Sequence, residues 1–403
     1  SGVIEYRGLK IKSGRSVLVP TLLTLLGNLG IGIANVYFGG SRKQNWADLA
    51  SNSLISALGL GILLAIAFLT YFFIFQPSFL KDVEPRCLLL ATLVLPLSLL
   101  TTYFRCILLG QNRIKEFNLL SLVQSGVDVV LILFLLLAFK GGVFSVIIAW
   151  ANAALAAAIL SILLVRRSTN IRWSFHPVLF KDSVKFGVKG YLGNVIQFLN
   201  YRLDMFLVAF FMNVTFVGYY SISVAMAEAL WYFPAAVGTV IFARTPGLSR
   251  EEANVSTPTI CRNTFFITLV SALVLLALGK PLIILLFSLA FLPALTPLYI
   301  LLPGVVMLSI YKVLANEMAG RGKPLVLTAS AGVSLAVNIP LNLLLIPRIG
   351  ISGAALASTI SYSVTALVVL GAFLRISKNS WVDTVLLKRE DLRLYAGAFS
   401  TAR

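Results

Sequence analysis

The feature that most constrains this chain is a succession of apolar stretches, each long enough to cross a bilayer. A helix needs about 20 apolar residues to span the hydrocarbon core. Such stretches recur near 17–39, 46–75, 86–110, 117–139, 143–165, 190–212, 216–242, 263–279, 294–318, 324–346 and 351–374, eleven in all. Lipid offers no water to an open backbone, so each span must be a helix. Apolar residues make up 59% of the 403 residues and charged residues 12%, with a mean hydropathy of +0.93. Soluble domains carry about 25% charged residues. A soluble fold of this length could not hide so much apolar surface. The expected class is therefore all-α integral membrane, which excludes soluble enzymes, secreted disulfide scaffolds and disordered chains. The stretch 281–291 (PLIILLFSLAF) is too short to cross alone, and either extends the eighth span or lies at the interface.

Charge sets the orientation. Lys and Arg number 33 against 15 Asp and Glu, a net +18. In a soluble protein that would point to nucleic acid; here it points to the positive-inside rule and anionic headgroups, with no nucleic-acid partner. Alternate loops carry fourteen positive charges: Arg42, Lys43, Arg113, Lys115, Arg166, Arg167, Arg172, Lys181, Lys185, Arg244, Arg250, Arg262, Arg321 and Lys323. The intervening loops carry five: Lys81, Arg86, Lys140, Lys280 and Arg348. The first set is expected to be cytoplasmic, together with the tail from Arg375. Residues 1–16 would then lie outside despite Arg7, Lys10, Lys12 and Arg15. The conflict eases if one further helix precedes Ser1.

Internal repetition leads to the same expectation. A shift of 208 residues brings Tyr103 onto Tyr311, Arg113 onto Arg321, Lys115 onto Lys323, Lys140 onto Arg348 and Gly142 onto Gly350. An offset of six spans makes the halves parallel repeats. The counterpart of span 190–212 then falls before Ser1. The expected fold is eleven visible helices of twelve, in two pseudo-symmetric six-helix bundles around a central cavity. Residues 1–165 form the N-terminal bundle without its first helix and 166–188 a cytoplasmic linker. Residues 189–374 form the C-terminal bundle and 375–403 a cytoplasmic tail.

Ionisable residues inside spans are costly and mark cavities or partners. Here they are Arg105, Asp128, Lys189, Arg202, Asp204, Glu228, Lys312 and Glu317. Polar stripes run with them at helical spacing. Asn194, Gln197, Tyr201 and Asp204 share one face, as do Asn118, Ser121, Ser125 and Asp128. Thr21, Thr24, Asn28 and Asn35 form a third stripe, Ser330, Ser334, Asn338 and Asn342 a fourth, and Ser309, Lys312 and Asn316 a fifth. One such stripe is explained by hydrogen bonds between helices. Five across both halves favour a polar cavity. Arg202 and Asp204 are also open to pairing with each other or a neighbour. Asp128, Asp204 and Glu228 are open to proton coupling or to neutralising cations, and Arg105 and Lys312 to snorkelling.

The remaining motifs are negative. Cys87, Cys106 and Cys261 have no metal or disulfide spacing, and His176 reads as a solvated loop side chain. Gly320–Pro324 (GRGKP) lacks the spacing of a phosphate-binding loop. No HExxH, GxSxG or DxD stands in a loop, and no long external loop exists to house catalysis, so no enzyme and no ATP hydrolysis are expected. The two glycosylation-like triplets, starting at Asn213 and Asn254, read as chance.

Several segments together resemble a known family. GNLGIGIANVYF (Gly27–Phe38) with the following SRKQNWADLASNSL, and LLGQNRIKEFN (Leu108–Asn118), are similar to bacterial polysaccharide flippases. So are YRLDMFLV (Tyr201–Val208), Val217–Gly247 and Leu295–Pro324. These are the O-antigen and exopolysaccharide (Wzx-type) flippases of the multidrug/oligosaccharidyl-lipid/polysaccharide exporter superfamily. The likeness covers nearly the whole chain. It departs at Arg7–Arg15, far more cationic than the helix start expected there.

The resemblance implies flipping of undecaprenyl-diphosphate-linked oligosaccharide across the bacterial cytoplasmic membrane by alternating access. It implies no cofactor, with drive from a proton or sodium gradient or the membrane potential. Membrane lipids and a downstream polysaccharide polymerase are the further partners. Arg202, then Lys189 and Lys312, would meet the diphosphate, since Lys and Arg bind phosphate oxygens with charge-assisted bonds. Asp204 and Glu228 would orient those cations or couple to protons. Asn194, Gln197, Tyr201, Asn28, Asn35 and Asn338 would line the sugar path. The alternatives are a cation-coupled multidrug exporter, a peptidoglycan-precursor flippase of the same superfamily and, from another class, a membrane polymerase or ligase.

Overall fold

The computed structural model describes residues 23–25, 27–76, 84–139 and 143–391. The expectations for residues 1–16 and for the start of the first span lie outside them, as do the Lys140 and Gly142 landmarks of the repeat. Among the described residues every regular element is a helix, and no strand occurs. In chain order the helices are α1 (Ile31–Gly40), α2 (Trp46–Phe75), α3 (Pro85–Leu93), α4 (Leu95–Gly110), α5 (Ile114–Phe139), α6 (Val143–Arg166) and α7 (Pro177–Phe211). They continue with α8 (Val214–Glu228), α9 (Tyr232–Arg244), α10 (Arg250–Phe287), α11 (Leu295–Gly320), α12 (Leu325–Ile349), α13 (Ile351–Ser377) and the short α14 (Trp381–Val385).

Among the described residues nine segments are long and apolar enough to cross a membrane. They are α2, α3 with α4, α5, α6, α8 with α9, and α10 to α13. The protein is a multi-pass membrane protein. α7 is long enough at 35 residues but is not one of the nine. It carries Lys181, Lys185, Lys189, Arg202 and Asp204, and it starts at Pro177, inside the stretch read from sequence as a linker. Pro is favoured at the first helical position, where its missing N–H costs nothing.

Two spans read as continuous are broken by proline. Pro96 sits just past Val94, where α3 gives way to α4. Pro234 sits behind a single 3-10 turn, Ala229–Trp231, that separates α8 from α9. Its ring would clash with the carbonyl four residues back, so the regular ladder cannot run through. By contrast, α10 absorbs 281–287 and starts twelve residues ahead of Arg262. Arg262 is thus a helix residue and not a loop charge. A capping box fixes that start: Ser249 Oγ accepts from Glu252 N, and Glu252 Oε2 accepts from Ser249 N.

The contacts divide the chain into two compact units, 1–188 and 189–403. In the first, α4 packs on α1, α2 and α6 around Tyr103, Phe104, Ile107 and Leu108, all buried. The segment leading to α7 is strapped onto the polar start of α2. Asn52 and His176 exchange two hydrogen bonds through the His176 backbone (2.9 and 2.7 Å), and Ser51 Oγ accepts from Arg172 N. In the second unit α11 is the central element, packed against α8, α9, α10 and α13.

Three helices end in the same way. The residue after the last turn takes positive φ at Arg42 (56°), Asn112 (59°) and Gly322 (78°). The next residue, Lys43, Arg113 or Lys323, returns its N–H to Phe38, Leu108 or Met318. This is the Schellman closure, and it follows Gly40, Gly110 and Gly320 in each case. It aligns Arg113 with Lys323, an offset of 210 (Gly110 to Gly320). The sequence shift of 208 matched Arg113 to Arg321 by charge. The two offsets differ by two residues, and the same closure after Gly40 shows that it is not peculiar to either pairing.

The tail is clamped. Arg262 Nε and Nη2 donate to Asp391 Oδ2 (2.5 Å) and Oδ1 (2.8 Å), and Nη1 donates to the Asp383 carbonyl (3.0 Å). Asn263 Nδ2 and the Lys388 N–H also donate to Asp391. The Arg262 guanidinium holds the Asp391 carboxyl down at about 2, against an ordinary 3.8. A depressed folded pKa contributes stability above the unfolded value that is lost as pH falls through the folded one. The clamp is then complete above pH 4 and disappears between about 4 and 2, a contribution of about 2 kcal/mol. Asp391→Asn is predicted to speed amide exchange over residues 380–391 at pH 7. The difference from the wild type should shrink as pH falls from 4 to 2, and a difference that widened would contradict the clamp.

Candidate functional site

The second unit gathers chemistry that apolar helices do not ordinarily hold. Five elements supply it. α7 presents Gln197, Tyr201 and Arg202, and the end of α8 presents Glu228. The 3-10 turn before α9 presents Trp231, and α11 presents Lys312. α13 adds Tyr362. Gly238 on α9 lets α9 approach α11 at this level, since a Cβ there would lie 2.3 Å from the Lys312 carbonyl. Small residues allow such close helix contacts in membranes.

Arg202 meets Glu228. Its Nη1 lies 3.3 Å from Oε1 and its Nη2 donates to Oε2 at 3.3 Å. The Arg202 side chain is 40% exposed and that of Glu228 23%, so the pair stands at the edge of the cluster. Lys312 lies deeper. Its Nζ sits 5.1 Å from the ring centroids of both Tyr201 and Trp231. Among the described residues Lys312 forms no ion pair. Tyr201 and Trp231 are 4.7 Å apart between centroids, and Tyr362 stands edge-on to both at 5.6 Å. Ring faces attract a cation through their quadrupole, and that holds the ammonium of Lys312 without a carboxylate.

Asp204 is placed differently. It is 1% exposed and accepts from Tyr220 Oη (2.5 Å), Ser358 Oγ (2.9 Å) and its neighbour Met205 N (2.7 Å). Those bonds tie α7 to α8 and α13. Asn200, outside the stripe read from sequence, donates to Ser334 Oγ (2.8 Å) and Ser361 Oγ (3.1 Å). Asn338 is fully buried and accepts from Asn342 Nδ2 at 2.6 Å. Lys189 and Asn194 are exposed, and the Lys189 carbonyl accepts from Thr328 Oγ1.

The first unit holds the remaining predicted residues. Asn35 is buried and donates to Ser53 Oγ at 2.8 Å. The Asn28 carbonyl accepts from Tyr103 Oη at 3.1 Å, while its Oδ1 is enclosed without a hydrogen bond. Asp128 Oδ1 is likewise enclosed and unbonded. Arg105 lies 4.2 Å over the Phe117 ring. Within the second unit the structure brings together Gln197, Tyr201, Arg202, Glu228 and Lys312. It adds Trp231 and Tyr362, which sequence reasoning did not single out. The signal for Tyr362 was present: Ser358, Ser361, Tyr362 and Thr365 share a helix face. No group of His, Cys, Asp and Glu suited to a metal occurs among the described residues.

The arrangement has a structural half and an open half. The Asp204 and Asn200 networks are saturated and join helices. Asp204→Ala would leave the fully buried Tyr220 and Ser358 hydroxyls without their acceptor. Each such loss costs about 1–3 kcal/mol. Lower thermal stability in detergent is expected for Asp204→Ala, with Asp204→Asn falling in between. An unchanged melt for Asp204→Ala would refute the saturated role.

Comparison with known proteins agrees with the fold. A family model described as polysaccharide biosynthesis protein matches residues 15–296, more than half of the chain. An uncharacterized membrane protein of Methanocaldococcus jannaschii is 29% identical over 178 residues, 43% of this chain. The match spans only about a third (34%) of that relative's length. A MOP superfamily transporter from Pyrococcus furiosus, described as having a binding pocket of reverse polarity that suggests a different function, superposes with a TM-score of 0.75. Its identity is 15%, over 92% of this chain and 89% of that one. A Vibrio cholerae MATE transporter gives a TM-score of 0.76 at 15% identity, covering 95% of this chain and 93% of that one. An outward-facing multidrug resistance MATE family transporter gives 0.73 at 17%, covering 92% and 91%. At these identities the likeness is one of fold.

Proposed function

This chain belongs to the polysaccharide biosynthesis protein family, and from that premise we propose that it flips a lipid-diphosphate-linked oligosaccharide across the bacterial cytoplasmic membrane. It is a membrane transporter of the MOP superfamily fold and not an enzyme. The observation that carries the substrate reading is the cluster on α7, α8, α11 and α13. It offers two cations, Arg202 and Lys312, one carboxylate, Glu228, and an aromatic wall with hydrogen-bonding groups. A saccharide on a diphosphate is polar and anionic, and burying it in hydrocarbon is prohibitive without such partners.

The two cations have different parts. Glu228 already neutralises Arg202, so the pair orients the edge of the site. Lys312 lies near the same Glu228 but makes no contact ion pair with it among the described residues, and is the stronger candidate for the diphosphate. This reverses the order expected from sequence. Lys189, exposed at the start of the second unit, is available to a headgroup outside the cluster. Gln197 and Tyr201 face sugar hydroxyls. A pocket of reversed polarity was read in the Pyrococcus furiosus transporter as a sign of a different function. The excess of cations over carboxylates in this cluster supports a similar departure from drug export.

Halves at 1–165 and 189–374, joined through 166–188 with the start of α7 inside it, and a cytoplasmic tail from 375 are part of this reading. The bias of Lys and Arg toward alternate loops supports that orientation. Drive by an ion gradient or the membrane potential completes it.

The test is reconstitution in proteoliposomes with a fluorescent polyprenyl-diphosphate oligosaccharide, its leaflet read by an impermeant quencher. Lys312→Ala is expected to slow translocation about tenfold or more, equivalent to about 1.4 kcal/mol of lost interaction. Arg202→Ala should have the smaller effect. Drug efflux under an imposed ion gradient, with no lipid-linked transport, would overturn the proposal.

A further inference from the structure

α10 is longer than the bilayer it crosses. Its 38 residues measure about 57 Å at about 1.5 Å per residue, against a hydrocarbon core of about 30 Å. The charges show which part projects. Arg250, Glu251, Glu252 and Arg262 fall near its start, and beyond Asn263 the helix carries Lys280 alone. Residues 264–287 suffice to cross, so the turn with Arg262 and Asn263 stands at the edge of the hydrocarbon.

The segment after α13 is fastened to that edge. Asp391 and the Asp383 carbonyl take the Arg262 guanidinium, and Asn263 Nδ2 donates to Asp391. About two turns nearer the helix start, Asn379 Nδ2 donates to the Asn254 carbonyl at 2.9 Å. Pro258, four residues on, has no N–H to return to that carbonyl. Between these fastenings lies α14, packed on α10.

α14 is turned the unexpected way round. A helix on a water-covered surface puts its apolar side inward. Here Thr384 is fully buried, while Trp381, Val382 and Leu386 are 57%, 42% and 46% exposed. Helical spacing sets Trp381 beside Val385 and Val382 beside Leu386, on the side turned away from Thr384. In water such a helix is inside out. In the headgroup layer it is at home, because Trp is enriched there and amphipathic helices lie flat in it. The level fits, since α14 is fastened where the apolar run of α10 begins.

Charge agrees. Arg375 and Lys378 precede α14 and Arg389 follows it, all three exposed and in no ion pair among the described residues. Asp383 is paired with Lys388 and Asp391 with Arg262, which leaves Glu390 as the exposed, unpaired acid of the segment. The surplus is positive and suits anionic headgroups.

We propose that residues 375–391 form an interfacial anchor: the clamp on Arg262 seats Trp381, Val382 and Leu386 in the headgroup layer, and Arg375, Lys378 and Arg389 hold anionic lipid beside them. The anchor rests on the chain being a multi-pass membrane protein and is independent of what it transports.

The experiment uses the full chain in proteoliposomes. The Trp381 signal is the fluorescence of the wild type minus that of Trp381→Phe, a change on an exposed side chain. Lipids brominated at different depths report where the indole lies. In vesicles with about one third phosphatidylglycerol, bromines near the headgroups should quench the signal more than bromines near the chain ends. Aqueous acrylamide should quench it less than after denaturation. Shallow quenching should weaken in phosphatidylcholine alone and with added salt, which screens attraction to the surface. Val382→Asp combined with Leu386→Asp supplies a second readout. Both side chains point out of the protein, so a water-facing arc predicts no change in amide exchange over residues 380–391. Seating in the headgroup layer predicts faster exchange in vesicles.

A Trp381 quenched by acrylamide in vesicles as fully as after denaturation, and by neither brominated lipid, would overturn the anchor and leave the arc to a soluble partner. Unaltered exchange in the double variant would overturn it too, as would quenching strongest from the deep bromines. Equal shallow quenching in phosphatidylcholine alone would remove the assignment to anionic lipid.

Discussion

In hydrocarbon a polar side chain has two stable fates. It bonds to another part of the protein, or it waits for a ligand that will bond to it, because lipid supplies neither donors nor acceptors. The rest of this structure follows from how the second unit divides its polar residues between those fates. Asp204, Asn200, Ser334, Ser358 and Ser361 take the first and tie α7 to α8, α12 and α13. Gln197 and Tyr201 turn to each other, Trp231 Nε1 is enclosed without a hydrogen bond, and Lys312 stands beside the rings. Both sets sit on or face the same helix, α7, within about two turns. The saturated set therefore holds the other in place.

Two local devices build the site. Pro234 prevents α8 and α9 from forming one continuous helix, and the single 3-10 turn it leaves carries Trp231. A regular helix would put Trp231 at another angle from Glu228, three residues earlier. A 3-10 turn inside a helix often marks a functional position. Gly238, one turn beyond Pro234, then brings α9 against the backbone of Lys312. Proline sets direction and glycine sets distance. Neither touches the ring cluster, yet both decide which residues meet there.

The spans were legible because lipid imposes one strong rule on length and hydropathy. The apolar stretches from 46–75 onward coincide with helix, to within a few residues at most ends, whereas the first is interrupted by a turn at Asn28–Gly30. Less visible were the interruptions at Pro96 and Pro234, which hydropathy alone does not register. α7 also escaped in part, since its polar first half reads as linker and its helical continuity depends on packing. In the site, charge was the visible signal, and it singled out Arg202, Glu228 and Lys312. Trp231 gave none, because it is indistinguishable by composition from exposed rings such as Tyr232, which is 81% exposed, and Tyr362 was marked only by the polar face it shares with Ser358, Ser361 and Thr365. Stripe reasoning placed Asp204 with the ligand groups because spacing gives a face and not a bonding partner. Only coordinates show that Tyr220 and Ser358 already use its oxygens.

The same division separates Arg262, Arg202 and Lys312 of the second unit. Arg262 has its guanidinium filled by Asp391 and a backbone carbonyl, and its work is to hold the tail. Arg202 shares its charge with Glu228 at the edge of the cluster. Lys312 is the exception, a cation held by ring faces and not by an anion. Aromatic faces attract an ammonium less strongly than a carboxylate does and leave its three donors unspent. That is a poor way to stabilise a fold and an effective way to keep a charge ready. An anion entering the cluster would meet that ammonium directly, since the nearby Glu228 is already engaged by Arg202.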